Sequence, residues 1–290
     1  MTYSIVARCP KTGQIGVAVQ SHWFAAGIVC WAKAGVGAVA TQAMALVDHG
    51  PLGIEQMGRG LTANEALDFR LSMDDSSEIR QIAMVDSSSG VAVHTGSDTI
   101  PEAGHIVGDG FSCQANMMWD STVWKSMHDA FTESQGQLAH RMYHSLKAAE
   151  AEGGDIRGMQ AARILVVGPE PLQKSWMETV VDIRVDDHSE PLTELGRLLE
   201  MHDAYSNLEK YRHDPSIESE LSSEIPEIAF WLSIDLANNG RHEEARELAM
   251  IPLQEHPGWK QLLIRCSRNG LAGISKETVG ILLDVHPESN

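Results

Sequence analysis

The sequence predicts an α+β fold in which antiparallel sheets lie between helices, followed by an all-helical appendage. Three observations carry that expectation. β-prone runs come in adjacent pairs near both ends of residues 1–187, helical patterns fall between them in blocks, and from about residue 190 the pattern is almost wholly helical. Strands and helices that arrive in runs mark a layered α+β sandwich with helices segregated outside, not a parallel βαβ sheet. The chain accordingly divides at about residue 187, with 1–187 as the sandwich and 188–290 as the helical tail.

Taken in order, 3–8 (YSIVAR) and 15–20 (IGVAVQ) are apolar β-prone runs joined by Cys9-Pro10-Lys11-Thr12-Gly13, which is hairpin chemistry. Two Ala/Gly/Val-rich extended runs follow at 27–32 and 36–41. Helical pattern takes over at 52–59 and 62–72, where Thr62 and Glu65 have the spacing of a capping box. Strands return at 80–86 and 91–95, joined by Ser87-Ser88-Ser89-Gly90, and again at 104–108 and 111–115. Helices are expected at about 121–133 and 137–151, then a Gly-Gly-Asp loop and paired strands at 162–168 and 178–184. In the tail, a polar break at 207–224 precedes a helix, an Asn-Asn-Gly turn and a second helix. The small and large apolar positions of that pair (Ala229, Leu232, Leu236, Ala245, Leu248) resemble one tetratricopeptide-type (TPR-like) hairpin. A single copy cannot bury its own core, so it reads as a docked appendage.

Composition excludes several roles. Lys and Arg number 22 against 40 Asp and Glu, a net charge of −18, so neither nucleic acid nor an anionic membrane is an expected partner. No apolar run approaches the roughly 20 residues a membrane-spanning helix needs. The N-terminus has no charged segment followed by an apolar one, so a cytoplasmic protein is expected. Cys9, Cys30, Cys113 and Cys266 lie far apart without a CxxC pair, which fits reduced thiols. The 13 histidines show no HExxH-like spacing, so neither a catalytic metal nor another cofactor is expected. Asp186, Asp187 and His188 look like metal ligands, but one of them is better placed to cap the helix after Pro191. Trp23, Trp119 and Trp124 exceed what one small core needs and point to a homo-oligomer.

The chemistry centres on the first residues. Thr2 follows the start Met and leads a strand. Its small side chain permits removal of Met1, which leaves a hydroxyl and a free α-amine on one residue. An α-amine titrates near 7.7–8.0 in model peptides, so part of it is neutral in the cell and can take the hydroxyl proton during attack. Thr is also an ordinary second residue, so position alone is only an invitation to look further.

The runs TYSIVARCPKTGQIGVAVQS, SHWFAAGIVCWAKAGVGAVATQA, GDGFSCQANMM, GGDIRGMQAARILVV and VDIRVDDHSEPLTELGRLL, in that order, resemble the domain-of-unknown-function 1028 (DUF1028) family. The resemblance extends into FWLSIDLANNGRHEEA of the tail. That family is grouped with the N-terminal nucleophile (Ntn) hydrolases, so the resemblance implies a four-layer αββα sandwich. It also implies hydrolysis of a C–N amide bond in a small molecule or peptide, by Thr2 attack and an acyl-enzyme. It names no substrate. Lys33 lies 31 residues after Thr2, the spacing of the active lysine from the threonine in proteasome β-type hydrolases, and a lysine there lowers a nucleophile's pKa electrostatically.

Other candidates follow from position. Gln20, Ser21 and His22 end the second strand, which a hairpin places beside Thr2. Thr41 and Gln42 end another extended run, and Gln114 and Asn116 are neutral donors suited to an oxyanion or a substrate carbonyl. In GGDIRGMQ, Asp155 and Arg157 form either an ion pair or a carboxylate-binding guanidinium, whereas the glycines alone read as a helix C-cap. A second class of function stands beside the hydrolase: a non-catalytic binding protein that kept the fold and acts through its helical tail.

Overall fold

The computed structural model describes residues 2–284. Two compact units are present, the first ending at Leu199 and the second beginning at Glu200.

The first unit is built of two antiparallel sheets and four helices before its last segment. Its elements are β1 (Thr2–Arg8), β2 (Ile15–Ser21), β3 (Cys30–Lys33), β4 (Gly37–Ala43), α1 (His49–Gly58), α2 (Ala63–Ser72), β5 (Arg80–Asp86) and β6 (Val91–Thr95), then β7 (Gly104–Gly108), β8 (Phe111–Asn116), α3 (Val123–Glu133), α4 (Leu138–Ala151), β9 (Ala161–Val167) and β10 (Thr179–Val185). One sheet has the order β10-β9-β2-β1-β8-β7 and the other β3-β4-β5-β6. Every pairing is antiparallel. The predicted strand pairs all form; the run at 27–32 becomes strand only at Cys30, because residues 26–29 coil into a 3₁₀ turn.

Alternation along the strands assigns each face. Tyr3, Ile5 and Ala7 of β1 point to the same side as Ala18, Cys113 and Ile164, where Met127, Phe131, Met142 and Leu146 of α3 and α4 cover them. Their neighbours Val6, Val17, Val19 and Leu165 point the other way, onto Ala38, Ala40, Ala83 and Val85 of the second sheet. The far side of that sheet (Val39, Ile82, Met84) is covered by Ile54, Met57, Ala66 and Leu67 of α1 and α2. Burying each large side chain contributes about 1.5–3 kcal/mol, so strands buried on both faces are the main source of stability. The α2 start is fixed by the expected capping box: Thr62 and Glu65 each accept from the other's backbone N–H.

The segment after β10 departs from the expected division at 187. Helix α5 (Pro191–Tyr211) contributes Leu192, Leu195 and Leu199 to the core of the first unit. It contributes Ala204, Leu208 and Tyr211 to that of the second. The expected polar break therefore begins late, after Tyr211. The second unit continues with α6 (Pro226–Asn238), α7 (His242–Glu255), α8 (Gly258–Ser267) and α9 (Lys276–Leu283). Ala229, Leu232, Leu236 and Ala245 are buried between its helices as the sequence implied, and Leu248 packs against them half-buried. Among the described residues, no helix is long and apolar enough to cross a membrane. Of the three tryptophans singled out, Trp124 packs against the first core, while Trp23 and Trp119 are 63% and 70% exposed.

Candidate active site

Thr2 heads β1, a central strand, with Ser21 of β2 opposite on one side and Asn116 of β8 on the other. Only 5% of Thr2 is exposed, and its hydroxyl donates to Ser21 Oγ at 3.0 Å. The period of two then decides which neighbours join it. Thr2, Ser4, Ser21, Ser112, Gln114 and Asn116 share the face turned to the second sheet, which supplies Gln42 and Gln81.

These residues form one hydrogen-bonded chain between the sheets. Ser112 donates to Gln114 Oε1 (2.8 Å), Gln114 Nε2 to Ser4 Oγ (2.6 Å), and Ser4 to Gln42 Oε1 (2.7 Å). Gln42 Nε2 and Asn116 Nδ2 both donate to Gln81 Oε1, at 2.6 and 3.0 Å. Both also reach the Thr2 carbonyl oxygen, each at 3.3 Å. Gln81 Nε2 passes the chain on to Thr95 Oγ1 (2.9 Å) and the Ala115 carbonyl (2.9 Å). Each of these amides is almost wholly buried, where an unmet donor or acceptor costs about 1–3 kcal/mol, so the network has to satisfy itself. From Ser112 to Thr95 every member is neutral. The arrangement holds the hydroxyl and carbonyl of Thr2 in one orientation among uncharged donors.

Other predicted site residues are divided. Gln20 neighbours Ser21 and therefore faces the opposite way, across from Tyr3, with neither amide atom partnered among the described residues. Thr41 likewise faces away from Gln42 and donates to the Leu46 carbonyl at 3.3 Å. Neither joins the Thr2 network. The same alternation that brings in Ser21 and Gln42 excludes both. Lys33 is exposed opposite Gly37 at the turn end of β3 and β4. Gly37 lies five residues from Gln42 along β4, about 16 Å at the usual strand rise, beyond a lysine's reach. The structure does not bring Lys33 to Thr2.

His22, Asp155 and Arg157 do meet, one residue beyond Ser21. The His22 N–H donates to Asp155 Oδ2 at 3.3 Å, and its ring Nδ1 is 3.3 Å from the Met159 carbonyl. Arg157 grips the wholly buried Asp155 carboxylate with Nε at 3.0 Å and Nη2 at 2.8 Å. Arg157 and Asp155 thus form an ion pair, but on a buried carboxylate and not at the surface. Gly153, after the end of α4, has φ +96°, and a Cβ there would come within 2.9 Å of Trp119 Cβ. Asp155 then ties this loop to His22 and Met118, just past the ends of β2 and β8.

Gln81, Ser4, Ser112 and Thr95 were missed. The alternation Ser112-Cys113-Gln114-Ala115-Asn116 was visible, but such a pattern ordinarily marks a solvated face. Gln81 gives no signal at all from its place in Arg-Gln-Ile-Ala-Met. Burial pushes the Cys30 and Cys113 thiols up to about 12, so neither is a thiolate at neutral pH. Among the described residues no group of three or more His, Cys, Asp or Glu side chains is placed to hold a metal ion. His188 Nδ1 instead accepts from the Glu190 N–H just before α5.

Fold and site together define a protein of paired antiparallel sheets with a buried, neutral polar chain that ends at Thr2, the first residue of a central strand. The chain belongs to the family of unknown function DUF1028, whose model matches residues 2–195. It is similar to the crystal structure of a DUF1028 protein from Silicibacter pomeroyi, at 27% identity and a TM-score of 0.62, covering 69% of this chain and 88% of that one. No curated protein matches. The family match stops four residues short of Leu199, so the helical unit lies outside it.

Proposed function

We propose that the chain is an amide-bond hydrolase of the N-terminal nucleophile type, with Thr2 as the nucleophile after removal of Met1. The observation that supports it is the position of Thr2 at the head of a central strand. There its hydroxyl is held by Ser21 and its carbonyl by Gln42 and Asn116. Helices on the outer faces of two packed antiparallel sheets support the four-layer αββα reading.

In the proposed reaction Thr2 Oγ attacks the amide carbonyl carbon while its own α-amine takes the hydroxyl proton. The C–N bond then breaks, the leaving nitrogen takes that proton, and an ester on Thr2 remains. Water, activated by the same amine, cleaves the ester to a carboxylic acid and restores the hydroxyl. Ser21 and Asn116 act as positioning residues, since they hold the nucleophile rather than the substrate. Asn116 Nδ2, bonded to Gln81 as well as to the Thr2 carbonyl, fixes that carbonyl from the β8 side. Gln114 is committed to Ser4 and belongs to the scaffold of the site.

The test compares Thr2→Ala and Thr2→Ser for formation of an acyl adduct from small amides and activated esters. The serine variant keeps hydroxyl and amine and retains activity; the alanine variant loses several orders of magnitude in rate while folding normally. Equal adduct on the alanine variant excludes Thr2.

A second reading is binding through the TPR-like hairpin of α6 and α7. It is favoured by a groove of about 480 Å³ lined by Glu218, Leu221, Leu232, Leu236, Arg241 and Leu248.

A further inference from the structure

We infer that the site takes amides whose acyl part is large and apolar, an inference that rests on Thr2 being the nucleophile. The three strands that contact Thr2 end in the same way. β2 runs from Ser21 to Trp23 and Phe24 within three residues, β4 from Gln42 to Met44 within two, and β8 from Asn116 to Trp119 within three. All four of these large side chains are more than half exposed. Val47 and Ile156, on the loops after β4 and before β9, are also exposed.

Two features show that this collar is held in place. Each exit bends through a left-handed residue that is not glycine: Ala25 (φ 54°), Ala43 (φ 66°) and Met117 (φ 56°). Such conformations are strained and persist where the surroundings enforce them, most often at functional sites. The loops are also fastened to one another. Trp119 N–H donates to the Gly154 carbonyl at 2.8 Å, Ile156 N–H to Met117 at 3.4 Å, and His22 N–H to Asp155.

A compound that brings a carbonyl carbon to Thr2 Oγ has to enter past these strand ends. Inside them lie the buried, neutral polar groups around Thr2, complementary to an amide, with the Asp155–Arg157 pair at one side; the exposed residues around them are aromatic and aliphatic. The polar part of the ligand is therefore the scissile amide and the apolar part lies outside it, against Trp23, Met44 and Trp119. A free amino acid or a sugar amide offers nothing to that rim, whereas a long-chain or arylalkyl acyl group covers it. Each methylene of such a group strengthens binding about fourfold where it is fully covered.

The experiment uses the full chain, with p-nitrophenyl acetate, butyrate and octanoate as acyl donors and intact-mass detection of the ester on Thr2. Acylation by octanoate exceeds that by acetate at least about tenfold after correction for intrinsic ester reactivity. Trp119→Ala and Met44→Ala each bring that ratio toward one. Trp176→Ala, an exposed tryptophan of the loop between β9 and β10, leaves it unchanged. A ratio near one in the unaltered protein overturns the inference while leaving the nucleophile in place. If no ester marks Thr2, the hydrolase reading fails, and octanoate binding followed by tryptophan fluorescence decides separately. Binding lost in Trp119→Ala keeps the collar as an acyl site, and no binding removes it. A dimer in light scattering that the Trp23→Ala/Trp119→Ala pair turns into a monomer makes the collar a contact between copies and also overturns the inference.

Discussion

Replacing Gln81 with leucine removes the acceptor that two buried amides share. Gln42 Nε2 and Asn116 Nδ2 lose their bonds to Oε1 of 2.6 and 3.0 Å, and Thr95 Oγ1 and the Ala115 carbonyl lose their donor. Each stranded buried group costs about 1–3 kcal/mol, so the two amide donors alone account for about 2–6 kcal/mol. The Thr2 carbonyl, already 3.3 Å from both nitrogens, recovers part of this, which places the expected loss in the lower half of that range. Urea unfolding of Gln81→Leu, Gln42→Leu and the double variant measures it. Because the two glutamines are each other's partners, the second substitution removes a group the first has already stranded. The double variant then loses less than the sum of the singles by about 0.5–3 kcal/mol. Strict additivity, or a Gln81→Leu loss below about 1 kcal/mol, refutes the claim that the inter-sheet chain is a coupled network.

Two further outcomes concern charged groups. Asp74 is held well below the usual carboxylate range, mainly because Arg80 donates to it and His49 also bonds it, while burial lowers His49. A carboxylate depressed in the fold stabilises above its unfolded pKa and loses that contribution as pH falls. A histidine kept neutral by burial acts in the same direction. Urea midpoints therefore fall steeply below about pH 4, and Asp74→Asn, which forfeits about 1.5–3 kcal/mol of charged hydrogen bonding at neutral pH, shows a flatter profile. An unchanged profile contradicts the assignment. Lys33→Ala leaves the rate of Thr2 acylation unaltered, since Lys33 lies at the other end of the sheet; a large loss in stopped-flow acylation restores the lysine to the mechanism.

The strand pairs, the Thr62 cap and the α6–α7 hairpin were legible because each follows from local chemistry: alternation, a serine- or glycine-rich turn, a side chain three residues from a backbone N–H. The site was legible in part. Chain order alone showed that Ser21 ends beside Thr2. It did not show whether Ser21 or Gln20, Gln42 or Thr41, faces inward, because strands buried on both faces carry no polar–apolar stripe to mark their orientation. Lys33 shows the converse limit. A spacing of 31 residues says nothing of which end of a hairpin a residue occupies. Gln81 comes from a strand remote in sequence and reaches the site only when the second sheet packs against the first, a tertiary fact with no local trace.

The most direct measurement is peptide mapping by mass spectrometry of the purified protein, before and after incubation with p-nitrophenyl octanoate. Under the Thr2 mechanism the chain begins at Thr2, and the octanoyl group appears on the N-terminal peptide as an ester at the Thr2 hydroxyl. A chain that still begins with Met1, or an octanoyl group on any other residue while Thr2 stays unmodified, contradicts it.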